Sequence, residues 1–272
     1  MIDRARNGDY GKWTKLVLTH FTQLRINHVI PPTTAGNSHA IDGPVHRSDF
    51  VRRDAVHAFG GVYLDFDAFP LRDLRALRMS GFAAVFGRQF GGEINNGVFM
   101  AQPGTQLLEI WGREMHRVYD GGWTTHGNGV LTRLIPRLMR EPGEVLVLDQ
   151  SALQPGSWNE DDTVKLFMPH DDVNPTALVQ GQPLPTFDVD EEPLDDRWMH
   201  PEKYPKWERD YSDTFVLHAF DPHSNKHEVK GFTQITPRYV LERTSNYGRA
   251  LYHIVKHMYD AGLIGIDDAY DA

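Results

Sequence analysis

The sequence predicts an α/β fold. Three observations carry this: a helical stretch that runs straight into an apolar strand between residues 48 and 67, further strand-like apolar runs along the chain, and stripes of apolar residues at helical spacing between them. The 272 residues, 40% of them hydrophobic, suit one α/β domain with an irregular insertion at about 155–214.

The first element is a helix near residues 12–25, where Trp13, Leu16, Val17, Phe21 and Leu24 form one stripe, followed by a short strand at Asn27 to Ile30. Phe50, Val51, Ala55, Ala58 and Phe59 then recur at roughly helical spacing, with Ser48 placed to cap the first turn and Asp49 three residues before Arg52. Gly60 and Gly61 end that helix. Val62, Tyr63 and Leu64 read as a buried central strand with Asp65 and Asp67 directly at its C-terminal end, the edge where ligands bind in open α/β sheets. Alternation sends both carboxylates one way and Phe66 the other, so that Asp65 and Asp67 can share one hard divalent cation. Pro70 breaks the ladder.

Phe82 to Phe90 is a strand followed by a turn at Gly91 and Gly92. Val98, Phe99 and Met100 form another, with Asn95 and Asn96 at its start and Pro103-Gly104 closing it. A helix from about 105 to 119 places Leu107, Leu108, Trp111, Met115 and Val118 on one side. The segment DGGWTTHGNGVLTRLI leads from a polar turn into a helix that Pro136 ends or kinks. EVLVLD, residues 144–149, is another buried strand. Proline, glycine and acidic residues are scattered through 155–214, including DVDEEPLDD at 188–196. The run Phe215 to Phe220 then returns to the same sheet, and Val240 to Tyr259 forms a closing helix with Leu251, Ile254, Val255 and Met258 on one face.

Composition excludes several classes. A net charge of −9 without a Lys/Arg-rich tract argues against a nucleic-acid partner. With no cysteine there is no disulfide or thiolate site, so metal ligands must be oxygen or imidazole. No apolar run of about 18 residues forms a membrane segment, and MIDRARNGDYGKW has no signal-peptide core.

The block SDFVRRDAVHAFGGVYLDFDAFPLRDL, Ser48 to Leu74, resembles DXD glycosyltransferases of the sugar-binding-region family, which includes initiating α-mannosyltransferases and α-1,4-galactosyltransferases. A similar series occurs in clostridial glucosylating toxins. The resemblance joins several elements in fixed order over this block and extends more loosely to about residue 135. It implies a GT-A-like nucleotide-sugar-binding domain with a mixed central sheet flanked by helices, here N-terminally incomplete, because relatives open with a nucleotide-binding strand that is not found. An N-terminal anchor would be missing with it, leaving either a Golgi or a cytoplasmic location.

The resemblance also implies residue roles. Asp67 would ligate Mn²⁺ (or Mg²⁺) directly, while Asp65 would bind donor ribose or sugar and water around the cation. Asp49 and Arg52 would grip the transferred sugar and phosphate; their alternative is a solvated helix ion pair worth roughly 0.3–0.5 kcal/mol. Arg53 is structural or solvated. Asn96 and Gly97 match an Asn-Gly that lines the donor or acceptor pocket, or else merely start a strand. Relatives carry a Thr-Gly-Pro-like turn where this chain has Thr-His-Gly-Asn, so His126 and Asn128 receive no role. His218 matches a histidine that approaches the metal or the diphosphate, within a degraded motif lacking the Trp after Ser224, and His223 and His227 read as surface loop.

The resulting expectation is a metal-dependent transfer of a hexose from a UDP- or GDP-sugar to a hydroxyl of a glycan, glycolipid or glycoprotein, with retention and with Asp65, Asp67 and Arg52 as the reacting set. Two alternatives stand beside it. One is a haloacid-dehalogenase-type phosphohydrolase, although Phe69 occupies the position where such enzymes carry Thr or Val. The other is a non-catalytic sugar-binding relative.

Overall fold

The computed structural model describes residues 2–172, 196–222 and 226–269. Most of the acidic tract at 188–196, and His223 and Ser224, lie outside the described residues. Contacts divide the chain into two compact units, one of Met1–His28, Phe167–Glu208 and Val229–Ala272, the other of Val29–Leu166 and Arg209–Glu228.

The first unit begins with helices α1 (Ile2–Asn7) and α2 (Lys12–His20). The second ends at His20 instead of residue 25, and it buries no residue. Its expected stripe is no core face: Val17, Phe21 and Leu24 are 43%, 51% and 43% exposed. The closing helix is two helices, Pro237–Leu241 and Asn246–Asp260, because Thr236 and Ser245 each cap a separate start and Arg243, at φ 55°, turns the chain between them. Leu251 is buried, whereas Ile254 is 42% exposed.

The second unit holds α3 (Pro44–Phe59), β1 (Gly61–Leu64), β2 (Ala68–Pro70), α4 (Arg75–Arg78), β3 (Ala84–Arg88), β4 (Ile94–Ala101), α5 (Gln106–Val118), α6 (Asn128–Leu138), β5 (Val145–Leu148), α7 (Gln150–Leu153), most of α8 (Glu160–Phe167) and β6 (Val216–His218). No strand forms at Asn27–Ile30, where Ile30 is 84% exposed; ahead of α3 the only β pairing among the described residues is the isolated bridge Thr34 to Ala40.

The main sheet is mixed. Its order is β1-β4-β3-β5, with β4 antiparallel to β1 and β3, and β3 parallel to β5. Alternation along β3 and β4 covers both faces: Phe86 and Phe99 stack at 5.0 Å and meet Trp111 of α5 on one side, while Val85, Val98 and Met100 pack with Leu153 and Val216 on the other. Burying each such side chain contributes about 1.5–3 kcal/mol. Thr105 caps α5 by accepting from the Leu108 amide.

Several expectations change here. β1 is an edge strand, half-buried, not a central one, since only β4 pairs with it. β5 likewise lies at an edge. Phe215 to Phe220 contributes β6 to a separate two-stranded sheet with β2 and does not rejoin the main sheet. Pro70 does not break that ladder: it sits at the end of β2 opposite Val216, where a missing amide is tolerated. Pro136 lies in the last turn of α6, two residues before its end. Within the expected irregular stretch the chain forms α8 and short turns at Asp196–Met199 and Pro201–Lys203.

Candidate functional site

Helix α3 starts at Pro44, directly after Gly43 and earlier than Ser48 implies. Ser48 is therefore inside the helix, and its hydroxyl accepts from Arg52 (Nη2–Oγ 2.8 Å) instead of capping. The buried face is Asp49, Phe50, Arg52 and Val56, while Phe59 is 77% exposed. A solvated Asp49–Arg52 pair is thereby excluded, since both residues are buried. Such a pair needs compensating bonds, because uncompensated buried charge is costly, and all its side-chain nitrogens and oxygens but the Arg52 Nε find partners among the described residues.

Those bonds tie α3 to the strands. Arg52 Nη1 donates to the carbonyl oxygen of Asn96 (3.1 Å) and lies 3.2 Å from Asp65 Oδ1. Its guanidinium stands 4.5 Å from the Tyr63 ring, and the Tyr63 hydroxyl donates to Asp65 Oδ1 (2.7 Å). Burial pushes the Tyr63 phenol well above its usual range; the Arg52 charge opposes this and the Asp65 carboxylate adds to it. Asp49 Oδ1 accepts from Asn96 Nδ2 (2.9 Å), and Asp49 Oδ2 accepts from Nε2 of the fully buried His126 (2.9 Å). Phe50 stacks on His126 at 5.5 Å. His126, given no role by sequence, is thus the residue behind Asp49. Asn128 holds the Asn96 amide through its Oδ1 (3.0 Å).

Beyond β1 the chain turns, with the Ala68 amide donating to Asp65 O (3.0 Å). Asp65 and Asp67 are brought together by this turn, not by strand alternation, and Phe66 at its tip is fully exposed. His218, the last residue of β6 and paired with Ala68, brings Nε2 to 3.3 Å from Asp67 Oδ1. One ligand atom from each of Asp65, Asp67 and His218 lies within 4.8 Å of the others. Burial pushes the Asp67 carboxyl up, but the His218 hydrogen bond and charge, with backbone bonds at Asp67 and Asp221, bring it below its usual value. Asp67 is therefore held ionised.

Strand β4 carries a bulge opposite Phe86 and Gly87, where the pairing skips from Phe99 to Asn95. Asn95 Oδ1 turns back onto the Gly97 amide (2.6 Å), while Gly97 O accepts from the Asp65 amide (2.8 Å). Asn95 and Asn96 therefore lie within the strand and not before it. Gly97 has a steric reason: a Cβ there would stand 2.5 Å from Asp65 Oδ2 and 2.6 Å from His218 Cε1. Sequence reasoning missed Asn95 and its partner Gln89, joined at 2.6 Å.

Asp49, Arg52, Asp65, Asp67, Asn96, Gly97 and His218 all line one cavity of about 510 Å³, together with Glu93, Trp123, Trp158, Phe220 and Asp221. Arg53 is outside it, its guanidinium packed over Gly112 and paired with Asp54 (2.7 Å). His227 lies in a partly exposed loop outside the cavity lining, where its Nε2 donates to the carbonyl oxygen of Trp158 (2.8 Å). The donor set fits a hard divalent cation: two carboxylates with an imidazole, and a buried His218 Nδ1 that has no partner among the described residues.

The family model described as "Glycosyltransferase sugar-binding region containing DXD motif" matches residues 8–83. That stretch, under half of the chain, includes Asp49, Arg52, Asp65 and Asp67 and ends before Asn96, His126 and His218. No curated protein and no solved structure matches the chain. Residues 8–83 are thus similar to the sugar-binding region of DXD-motif glycosyltransferases, and the likeness takes in the Asp65–Asp67 half of the candidate metal centre.

Proposed function

We propose that this chain is a metal-dependent glycosyltransferase of GT-A type that moves a hexose from a UDP- or GDP-sugar to an acceptor hydroxyl, with retention. The observation that carries the reading is the convergence of Asp65, Asp67 and His218 within 4.8 Å beside a buried arginine. Asp67, Asp65 and His218 would hold Mn²⁺ or Mg²⁺, which when bound supplies Lewis-acid neutralisation of the charge that develops on the leaving diphosphate.

The remaining roles fall to the chain itself. Arg52 is fixed by Ser48, Asn96 O and Asp65, so its fork is oriented before a donor arrives. It adds positive charge where the diphosphate departs. Asp49, held by His126 and Asn96, offers its carboxylate to donor hydroxyls from a fixed position, and Gly97 keeps the floor low enough for the sugar to approach. Front-side attack needs no protein nucleophile, and none is assigned.

Calorimetric titration of the folded chain with UDP, GDP and their hexose conjugates, with and without Mn²⁺, tests the reading. Mn²⁺-dependent binding is expected in the wild type and absent in Asp67→Ala, whose fold should persist because the residue sits in a half-exposed turn. Binding of equal affinity in Asp67→Ala would falsify the metal assignment.

A further inference from the structure

One wall of the cavity is aromatic, and none of the preceding roles uses it. Trp158, between α7 and α8, and Phe220, two residues after β6, both line the cavity. The Phe220 ring stacks on the His218 imidazole at 4.1 Å and meets Trp158 nearly edge-on at 5.8 Å. Phe90 in turn braces Trp158 at 6.2 Å and 89°. The wall is built at a cost, since Phe220 has φ 51°, a left-handed backbone that a bulky residue adopts only when its surroundings hold it there. The Trp158 carbonyl is held by His227, yet its side chain stays 37% exposed and Phe90 47%. The indole N–H has no hydrogen-bond partner among the described residues.

We infer that Trp158 and Phe220, with Phe90 bracing Trp158 from outside the cavity lining, form a binding subsite for an uncharged hexopyranose ring of the acceptor. The inference rests on the transferase reading of the neighbouring site. A pyranose presents a face of C–H bonds and an edge of hydroxyls. The rings suit the face, and the indole N–H with the Glu93 and Asp221 carboxylates suits the edge.

Charge and position narrow the choice. Asp49, Asp65, Asp67, Glu93 and Asp221 line the cavity, with Arg52 the only arginine or lysine among the described lining residues, so an anionic ring is repelled. A nucleobase lies a ribose and two phosphates away from the bond that breaks, whereas the acceptor hydroxyl must reach the anomeric carbon itself. A ring stacked directly on His218 is therefore placed for the acceptor rather than for the base.

The test uses the full chain with Mg²⁺ and UDP or GDP. Methyl β-D-galactopyranoside, methyl α-D-mannopyranoside and methyl β-D-glucuronide are titrated by saturation-transfer NMR against wild type, Trp158→Leu and Trp158→Phe. The expected result is saturable binding of at least one neutral glycoside and none of the glucuronide. Trp158→Leu should weaken the glycoside about tenfold or more, as loss of one aromatic anchor from a pocket does, and weaken the nucleotide by a smaller factor. Trp158→Phe, which keeps a ring, should recover most of the affinity and so exclude misfolding as the cause. Nucleotide affinity falling as far as glycoside affinity in Trp158→Leu would assign the wall to the base and overturn the inference. So would glucuronide binding as well as the neutral rings, or nucleotide binding without any glycoside. Glycoside binding through Trp158 without nucleotide binding would keep the sugar subsite and sink the transferase reading instead.

Discussion

Asp49 is aimed into the cavity by His126. The imidazole is fully buried, stacked on Phe50 and donating to Asp49 Oδ2, while Asp49 Oδ1 holds Asn96. His126→Leu would leave that carboxylate oxygen buried without its donor, a loss of about 1–3 kcal/mol, and would free Asp49 to rotate away from Asn96 and Arg52. Denaturant unfolding together with donor titration should therefore show lower stability and weaker donor binding in His126→Leu, with His126→Gln, which restores an N–H donor, recovering part of both. Wild-type stability and affinity in His126→Leu would mean the pair positions nothing. The sequence made Asp49, Arg52, Asp65 and Asp67 legible because they lie close together along one helix, turn and strand. His126 was not legible, since it meets Asp49 across 77 residues of chain and no short spacing signals the pair.

At the scale of elements, the helix-to-strand turn decides whether α3 can deliver Arg52 to Asp65. Gly60 has φ 66° and ψ −173°, a conformation open essentially to glycine alone, and a Cβ there would lie 2.8 Å from Pro103 Cδ. Gly60→Ala is expected to cost about 1–3 kcal/mol in denaturant unfolding and to weaken donor binding, because the turn must shift to admit the methyl. Gly81→Ala is the control: it has φ 87° but nothing within 4 Å of its Cβ and is remote from the site, so it should affect stability without weakening donor binding. The glycine pair marked this turn in the sequence, but not which face of α3 is inside. Ala55, Ala58 and Phe59 suggested an apolar face, whereas the structure buries the charged Asp49 and Arg52 because Asp65 just beyond β1, Asn96 of β4 and His126 partner them. Period-counting ranks charge as outward, so it misassigns a helix whose inner face carries the charged pair that lines the cavity. The same limit applies to β1, whose apolar run reads as central although the pairing order puts it at an edge.

At the scale of the molecule, the net charge of −9 is echoed inside the cavity, where, among the described residues, five carboxylates face a single arginine. On the proposed reading, a diphosphate entering alone would meet repulsion, and a divalent cation held by Asp65, Asp67 and His218 would offset it. The two should therefore bind with positive coupling, each raising the affinity of the other by the same factor. Thermal unfolding reads this directly. Mn²⁺ alone, or nucleotide alone in EDTA, should shift the transition little. Together, at about 100 times Kd, they should add about 2.7 kcal/mol, a rise of roughly 5–10 °C for a unit of this size. Every described lining residue belongs to the unit of Val29–Leu166 and Arg209–Glu228, so hydrogen exchange should slow first in α3, β1 and β4 and less in the helix Asn246–Asp260. Asp67→Ala should abolish both the coupled shift and that protection. A shift of the same size in the variant would mean that metal and nucleotide meet elsewhere on the chain, since the carboxylate that couples them in this cavity would be gone.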